Sequence, residues 1–502
     1  MKSITEFRGY FYLRGFSEDE LPYWVTSEDT QSPYFHLNCA TRKKFAKDLL
    51  PDIKRGKILI ASDVYNKIAS YKALPAQTNL TDSKKVIEPQ GISLLQHQLT
   101  AVNLMLTHNR FGFFMQPGTG KTFIAVSFLL SRKPKTTLIV TPKKVISQFQ
   151  SCLDEYAPDL SYDVINYESL HKVKDNLYEC IILDESHYVK NYSSIANETL
   201  REMQATAKYV YLFTGTPADK SKIEIFPQLA ILDNSYIPSK TKFNKRYYIL
   251  DDYYNPKREK RILSDELDEM IQEATYGVEA EDVLDLPPEV EHTVLCPLPE
   301  KYNELKETRV LNIEKEYEVI ADTPSALSIK LRELCNGHIV ATKIDTGEET
   351  KIKLDSVKTD KLTELLESLD TAIIYTQFEP DIEECKTACC RAGKTFTIVT
   401  GTSKNAAECI EEFKSGKVDC LIIQSRCGNA GLNLMNTNNI IFYAPPLSYI
   451  NFYQCKCRIR RYGQTKPCNY YYLVCKNSIE EKIYRALKQK KSFSNKLMNS
   501  YN

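Results

Sequence analysis

Beyond about residue 90, short apolar runs rich in β-branched residues alternate with amphipathic stretches, at 137–141, 180–183 and 209–213 and again at 371–376, 396–400, 420–424, 439–443 and 470–474. Runs of this length, each followed by a helical pattern, predict parallel sheets covered by helices. Residues 218–288 have a different texture: basic at 257–261 and acidic from 265 to 285, they read as a helical insertion. Residues 339–354 alternate about Asp345-Thr346-Gly347, as a hairpin does. The expected fold is α/β, with one parallel-sheet lobe at 86–290 carrying the helical insertion, a linker with helical and hairpin elements at 291–355, and a second lobe at 356–502. Residues 1–85 are expected to form a small accessory domain. There Phe7, Arg8, Tyr10, Phe11, Tyr12, Arg14 and Phe16 predict a strand whose rings either pack in a small core or stack on nucleic-acid bases, ahead of a Lys-rich helix at 41–50.

Length and charge narrow the class. With 502 residues, 42% of them hydrophobic, the chain has material for about three domains. No apolar run reaches membrane-spanning length, and Glu6, Arg8 and Arg14 interrupt anything resembling a leader, so a soluble cytoplasmic protein is expected. A net charge of +1 supplies no global field toward a polyanion, so any grip on nucleic acid must be local. The 15 cysteines form no C-x-x-C pair, which favours reduced, buried thiols over structural zinc.

Chemistry concentrates in three places. Gln116-Pro117-Gly118-Thr119-Gly120-Lys121-Thr122 precedes an apolar helix and reads as a phosphate-binding loop. Its glycines let backbone N–H groups turn toward phosphates, Lys121 reaches the β and γ phosphates, and Thr122 ligates Mg2+. Some 60 residues on, Ile181-Ile182-Leu183-Asp184-Glu185-Ser186-His187 is a strand ending in adjacent carboxylates. Asp184 can hold the metal, Glu185 can deprotonate an attacking water, and His187 can link the site to motion. In the second lobe Gln454, Arg458 and Arg461 are spaced as on one helical face. From there the two arginines are expected to reach the transferring phosphoryl group once the lobes close.

These blocks resemble a helicase superfamily two motor, nearest the Swi/Snf-type branch, over about residues 90–490. The ordered motifs are Leu94 to Gln98, QPGTGKT, LIVTP at 138–142, VINYE at 164–168, LDESH with Lys190-Asn191 after it, and TGTP at 214–217. The second lobe adds LRELCN at 331–336, IIYT at 373–376, CGNAGLNL at 427–434, Gln454-x3-Arg458-x2-Arg461-x-Gly463-Gln464 and IEEKI at 479–483. The resemblance implies two RecA-like lobes, a P-loop NTPase tandem using ATP and Mg2+. It implies that Gln98 reads adenine and that Gln454 joins Gly118, Thr119, Gly120, Lys121 and Thr122 in binding nucleotide. Thr141, Lys143, Asn166, Thr376 and Ser425 would touch DNA phosphates, contacts that position without specifying sequence. His187, Thr214, Thr216, Gly431, Asn433 and Gln464 would couple nucleotide state to that grip.

The implied activity is a DNA-stimulated ATPase that moves on duplex or branched DNA as a monomer, without a membrane. Strand separation or branch migration in replication, recombination or repair of a bacterial or phage-infected cell would follow. An RNA helicase and a nucleotide-gated DNA clamp that does not step are the other readings. The sequence departs from the family pattern at Met115, where a first Gly is common, and at Asn429, where a second Gly is usual. Met115-Gln116-Pro117 also replaces an acidic lead-in and no histone-reading module follows, so nucleosome remodelling is not expected.

Overall fold

A computed structural model describes residues 2–7, 10–14, 34–36, 49–55, 57–61, 64 and 86–499, apart from 219–220, 238, 252–255, 260–263, 315 and 428–432. The chain opens with β1 (Lys2–Phe7), β2 (Tyr10–Arg14), β3 (Tyr34–His36) and β4 (Ile58–Ile60), in the order β3-β2-β1-β4. The side chains of Tyr10, Phe11 and Tyr12, with Phe16 and most of the Lys-rich stretch at 41–50, lie outside the described residues.

Two compact units follow from the distribution of contacts, Met1–Glu279 with Lys496–Asn502, and Ala280–Asn495. In the first, α1 (Gln96–Thr107) leads to β5 (Arg110–Met115) and α2 (Lys121–Arg132). Then come β6 (Thr137–Val140), β7 (Tyr162–Ile165), β8 (Cys180–Asp184) and β9 (Tyr209–Thr214). With β12, described below, these strands form a six-stranded sheet in the order β12-β5-β9-β8-β6-β7, parallel throughout. Every residue of β9 is buried, as are the first four of β8, because helices cover both faces and leave no position for polar alternation. On one face Phe128 of α2 meets Tyr209 and Tyr211 edge-on.

Residues 218–288 are not a purely helical insertion. They contain α3 (Phe226–Leu232) and α4 (Lys240–Tyr247), then a two-stranded antiparallel ribbon of β10 (Tyr248–Leu250) and β11 (Pro256–Glu259), then α5 (Ser264–Ala274). β12 (Thr275–Val278) then returns to the main sheet, parallel to β5, with Val278 opposite Met115. Its short TYGV run sits between charged stretches that hide it from a periodicity reading. Gly112 makes the pairing tight: a Cβ there would stand 2.9 Å from Thr275 Cγ2.

The second unit begins before the expected boundary. β13 (Glu289–Cys296) pairs along its whole length with the last strand of this unit, so residues 289–296 belong to a sheet rather than to a linker. A four-stranded antiparallel sheet follows, of β14 (Val310–Ile313), β15 (Tyr317–Ile320), β16 (His338–Lys343) and β17 (Glu349–Lys353) in that order. β16 and β17 are the arms of the hairpin about Gly347, whose φ of 69° only glycine adopts freely. β18 (Ala372–Thr376), β19 (Phe396–Val399), β20 (Cys420–Gln424), β21 (Asn439–Phe442) and β22 (Cys468–Cys475) complete a second parallel sheet, ordered β13-β22-β21-β18-β20-β19. Among the described residues all cysteines are free and mostly buried; Cys390, on the helix Glu379–Arg391, is exposed. No described helix is long and apolar enough to cross a membrane.

A buried ion pair stitches this unit. Lys358 and Glu480 have fully buried side chains 2.6 Å apart, and the ammonium also donates to Asn336 Oδ1 at 2.8 Å and to the Tyr443 carbonyl at 2.7 Å. Glu480 accepts the Cys475 amide through its other oxygen at 3.0 Å. LRELCN, through Asn336, and IEEKI, through Glu480, therefore meet on one lysine. Burial opposes the charge on Lys358, but Glu480 outweighs it and raises the pKa. Since removing one member strands a buried charge, Lys358→Ala should destabilise this unit by roughly 3–5 kcal/mol. Urea unfolding followed by hydrogen exchange in β18 and β21 measures it; an unmoved midpoint would assign the pair no structural weight.

Candidate active site

The parallel order places the carboxyl ends of β5, β9, β8 and β6 side by side, the position where open α/β sheets hold ligands. Each end delivers part of the expected set. The phosphate loop leaves β5, whose last residue is Met115. Met115 is thus still strand and does not have positive φ, so a glycine is unnecessary there; Gly118 and Gly120, at φ 90° and 83°, are the positions that need one. A Cβ at Gly120 would fall 2.1 Å from Gln98 Nε2. The loop's root is held by the Gln116 amide donating to the Val278 carbonyl of β12 at 3.1 Å.

Within the loop, Thr119 is buried, and its hydroxyl at 2.8 Å and its amide at 3.4 Å both donate to the Gln116 carbonyl. The Thr119 carbonyl accepts from Gln98 Nε2 and is 3.0 Å from His97 Nε2, both on α1. Lys121, at the start of α2, donates to the carbonyls of Met115 at 3.1 Å and Gln116 at 3.4 Å.

Asp184 ends β8, and its Oδ2 accepts the Thr141 hydroxyl at 2.9 Å. Burial, reinforced by the charge of Glu185, raises the Asp184 pKa to about 6 against the opposing pull of Lys121 and Thr141. Glu185 has left-handed backbone, φ 53°, uncommon for a residue with a side chain. Its carboxylate is gripped from two sides: Thr214, the last residue of β9, donates to Oε2 at 3.3 Å, and His187 Nδ1 stands 3.2 Å from the same oxygen. His187 Nδ1 is also 3.1 Å from Thr214 Oγ1, and the Thr216 amide donates to that hydroxyl at 3.1 Å. His187, Thr214 and Thr216 thus form one chain of contacts ending on Glu185.

Three contributors escaped the sequence reading. Gly215 passes the phosphate loop so closely that a Cβ would stand 2.6 Å from Pro117 Cδ and 3.1 Å from the Met115 carbonyl oxygen. Gln228, fully buried on α3, accepts from the Ser186 hydroxyl at 2.8 Å and donates to the Pro217 carbonyl at 2.6 Å, tying LDESH to TGTP. Tyr167 donates to the Asp184 carbonyl at 2.6 Å. Gly215 sits inside a named motif and could have been found there; a glutamine in an apolar helix gives no such signal.

Several expected DNA contacts do not reach the surface. The side chains of Thr141, Thr376 and Ser425 are buried, so they cannot touch phosphates as expected. Thr141 is spent on Asp184, while the Ser425 hydroxyl donates to the Thr376 carbonyl at 3.1 Å and accepts from Gln377 at 2.5 Å. Lys143 is exposed. Asn166 caps a short helix, its Oδ1 accepting the Ser169 amide at 2.8 Å. Gly431 and Asn429 lie outside the described residues; Asn433 is exposed.

In the second unit, Gln454 lies on the helix α6 (Tyr449–Lys456), which ends before Arg458. Arg458 and Arg461 therefore occupy the turns beyond it rather than one helical face, and the i, i+4, i+7 reading is corrected. Arg461 Nε donates to the Cys457 carbonyl at 3.0 Å. Burial, and then the charge of Arg458, lowers the Arg461 pKa to about 10. Two desolvated guanidiniums of like sign form a place an anion would stabilise. Gln464 is committed to the fold, donating to the carbonyls of Met435 and Thr437, each at 3.2 Å.

Residues 160–339 match the SNF2-related domain and residues 357–463 the Helicase conserved C-terminal domain, together more than half of the chain. The chain belongs to the Swi/Snf-type branch of helicase superfamily two. Its two all-parallel six-stranded sheets are the RecA-like lobes of that superfamily. It is 24% identical over 483 residues to YwqA of Bacillus subtilis (strain 168), provisionally named an ATP-dependent helicase/translocase, covering 86% of this chain and 51% of that protein. An uncharacterized ATP-dependent helicase of Mycoplasma pneumoniae is 22% identical, at 86% and 45% coverage. The DNA repair and recombination protein RAD54-like of Danio rerio is 24% identical, at 67% and 50%. The chain thus spans about half the length of these curated relatives. A solved structure, the Sulfolobus solfataricus SWI2/SNF2 ATPase core in complex with dsDNA, covers 83% of this chain and 95% of its own at 18% identity, with a TM-score of 0.39.

Gly215→Ala should push the phosphate loop aside and weaken binding of a fluorescent ATP analogue by about tenfold or more, since misplacement on the ångström scale is costly at such sites. Wild-type affinity would mean that the loop yields freely at Pro117.

Proposed function

We propose that the chain is an ATP-hydrolysing motor that moves on duplex or branched DNA. The observation that carries this reading is the Glu185 cluster: a carboxylate held by His187 and Thr214 beside Asp184, at the strand end adjoining the phosphate loop. Glu185 takes a proton from the attacking water at its carboxylate, and its two holders fix where that carboxylate points. Lys121, exchanging the carbonyls of Met115 and Gln116 for phosphate oxygens, binds the β and γ phosphates, and the amides of Gly118, Thr119 and Gly120 orient them. Gln98 meets the adenine, which requires its amide to release Thr119. Gln454 adds a nucleotide contact, and Arg458 and Arg461 supply positive charge as the phosphoryl group transfers.

The residues fit Mg2+. Thr122 and Asp184 are the oxygen donors that ion takes, and a cation would offset the charge that burial makes costly at Asp184. When bound, Mg2+ held by Thr122 and Asp184 would neutralise the negative charge that develops as the phosphoryl group transfers.

Lys143 and Asn166 are the expected phosphate-contacting residues whose side chains are not buried. Relatives named as ATP-dependent helicases and as a DNA repair and recombination protein support movement on DNA. The motor works as a monomer in a bacterial or phage-infected cell, in replication, recombination or repair, and separates strands or moves a branch on meeting a junction.

Steady-state ATPase at fixed low salt, with duplex, single strand, four-way junction and structured RNA as stimulants, tests this; salt is fixed because phosphate contacts are salt-dependent. Duplex or junction should stimulate most, and stimulation by RNA or single strands alone would overturn the substrate. Lys121→Ala should abolish turnover. Glu185→Gln should bind ATP but hydrolyse it roughly 10²–10⁴-fold more slowly. Arg461→Ala should lose about 10³-fold in kcat with binding spared. Unchanged turnover in any of the three would remove that residue from the machinery.

A further inference from the structure

Two neighbouring side chains of α1 hold one carbonyl of the phosphate loop. Gln98 Nε2 donates to the Thr119 carbonyl oxygen at 3.0 Å, and His97 Nε2 stands 3.0 Å from the same oxygen. A carbonyl only accepts, so the second contact places the proton of the His97 ring on Nε2. His97, Gln98 and Thr119 are all buried. Burial lowers the His97 pKa against the opposing effect of the Thr119 carbonyl, so the ring is neutral at neutral pH.

Gln98 is engaged at both ends. Its Oε1 accepts the Leu95 amide at 2.9 Å, and its Nε2 lies so close over the loop that a Cβ on Gly120 would fall 2.1 Å away. An amide reads adenine with one donor and one acceptor, so Gln98 has to let go of both partners to do so. The two losses are unequal. Leu95 is 37% exposed, and water can take over its amide, whereas Thr119 is sealed from solvent, where an abandoned acceptor costs the desolvation of the group. His97 keeps that carbonyl bonded after Gln98 has gone. The same bond has a second effect, because across a planar trans peptide the Thr119 carbonyl and the Gly120 amide point in opposite directions. A carbonyl fixed on α1 therefore keeps the Gly120 N–H turned away from α1, at a residue whose φ of 83° is open to glycine alone without strain.

We propose that His97 is a positioning residue for nucleotide selection, which keeps the Thr119–Gly120 peptide in place while Gln98 exchanges Thr119 for adenine. This rests on the adenine contact of Gln98 proposed above. Guanine presents two acceptors on the edge where adenine presents a donor and an acceptor, so with GTP the amide gains no matching pair and stays on Thr119. Preference for ATP over GTP then depends on two residues, the one that touches the base and the neighbour that lets it leave the loop.

Affinities of the full chain for ATP and GTP, by displacement of a fluorescent nucleoside triphosphate, test this together with melting of the nucleotide-free protein. His97→Asn carries its amide nitrogen near the position of Nδ1 and loses the bond, whereas His97→Gln carries it near the position of Nε2 and keeps it. His97→Asn should weaken ATP binding about tenfold, the cost of a buried acceptor left bare, and GTP binding less than about twofold. His97→Gln should restore most of the ATP affinity. In a Gln98→Ala background, where no exchange takes place, His97→Asn should shift ATP affinity by less than about twofold. There it should lower the melting temperature, because the carbonyl then has neither donor, while leaving it nearly unchanged when Gln98 is present. His97→Asn that binds both nucleotides as wild type does, while Gln98→Ala abolishes the preference for ATP, would overturn the role of His97 alone. Equal losses for ATP and GTP, the same in both backgrounds and not restored by His97→Gln, would make His97 a packing residue and overturn it as well. Gln98→Ala that keeps the preference for ATP would overturn the adenine contact, and the exchange with it.

Discussion

Asp184 and Glu185 put two carboxylates on consecutive residues at the buried end of a parallel strand, and much of the first unit is arranged to hold that charge in place. Unopposed, two like charges in a desolvated pocket would drive one group to take up a proton, and the pKa of Asp184 near 6 is the residue of that tension. Each acid has its own holders: Thr141 and the field of Lys121 for Asp184, Thr214 and His187 for Glu185. Because the holders come from different strand ends, the sheet order β5-β9-β8-β6 is a condition of the chemistry. Gln228 and Gly215 belong to the same constraint, one pinning the two motif loops together and the other letting them approach.

The second unit faces the problem with the sign reversed. Arg458 and Arg461 are cations taken out of water, and on the same segment Lys456 and Arg460 are paired with Glu289, Glu291 and Glu281. The Lys358–Glu480 pair does similar work deeper in the core, where an apolar pair of equal volume would pack as well but would not tie Asn336, Tyr443 and Cys475 to one point.

The parallel sheets were legible because strands buried on both faces announce themselves as unbroken apolar runs, as in the IILD and YVYLFT segments. The phosphate loop was legible because glycines at positive φ and a following lysine are irreplaceable in kind. What stayed hidden has physical reasons. β12 is four residues long between charged stretches, and β13 alternates like a half-exposed strand while pairing with a partner some 180 residues away. Thr141, Thr376 and Ser425 were placed on a DNA path by motif, yet a hydroxyl buried inside the fold and one offered to solvent look the same in a sequence. Arg458 and Arg461 fit a helical period that the backbone abandons at Lys456.

The distribution of thiols has a practical side. Among the described residues Cys390 is the one exposed cysteine, on the helix that follows β18, with Cys152 and Cys457 half-buried and the other thiols buried. A maleimide fluorophore would therefore find one preferred attachment point in that unit with little engineering, and the natural chain already carries a handle for following its movements by single-molecule spectroscopy.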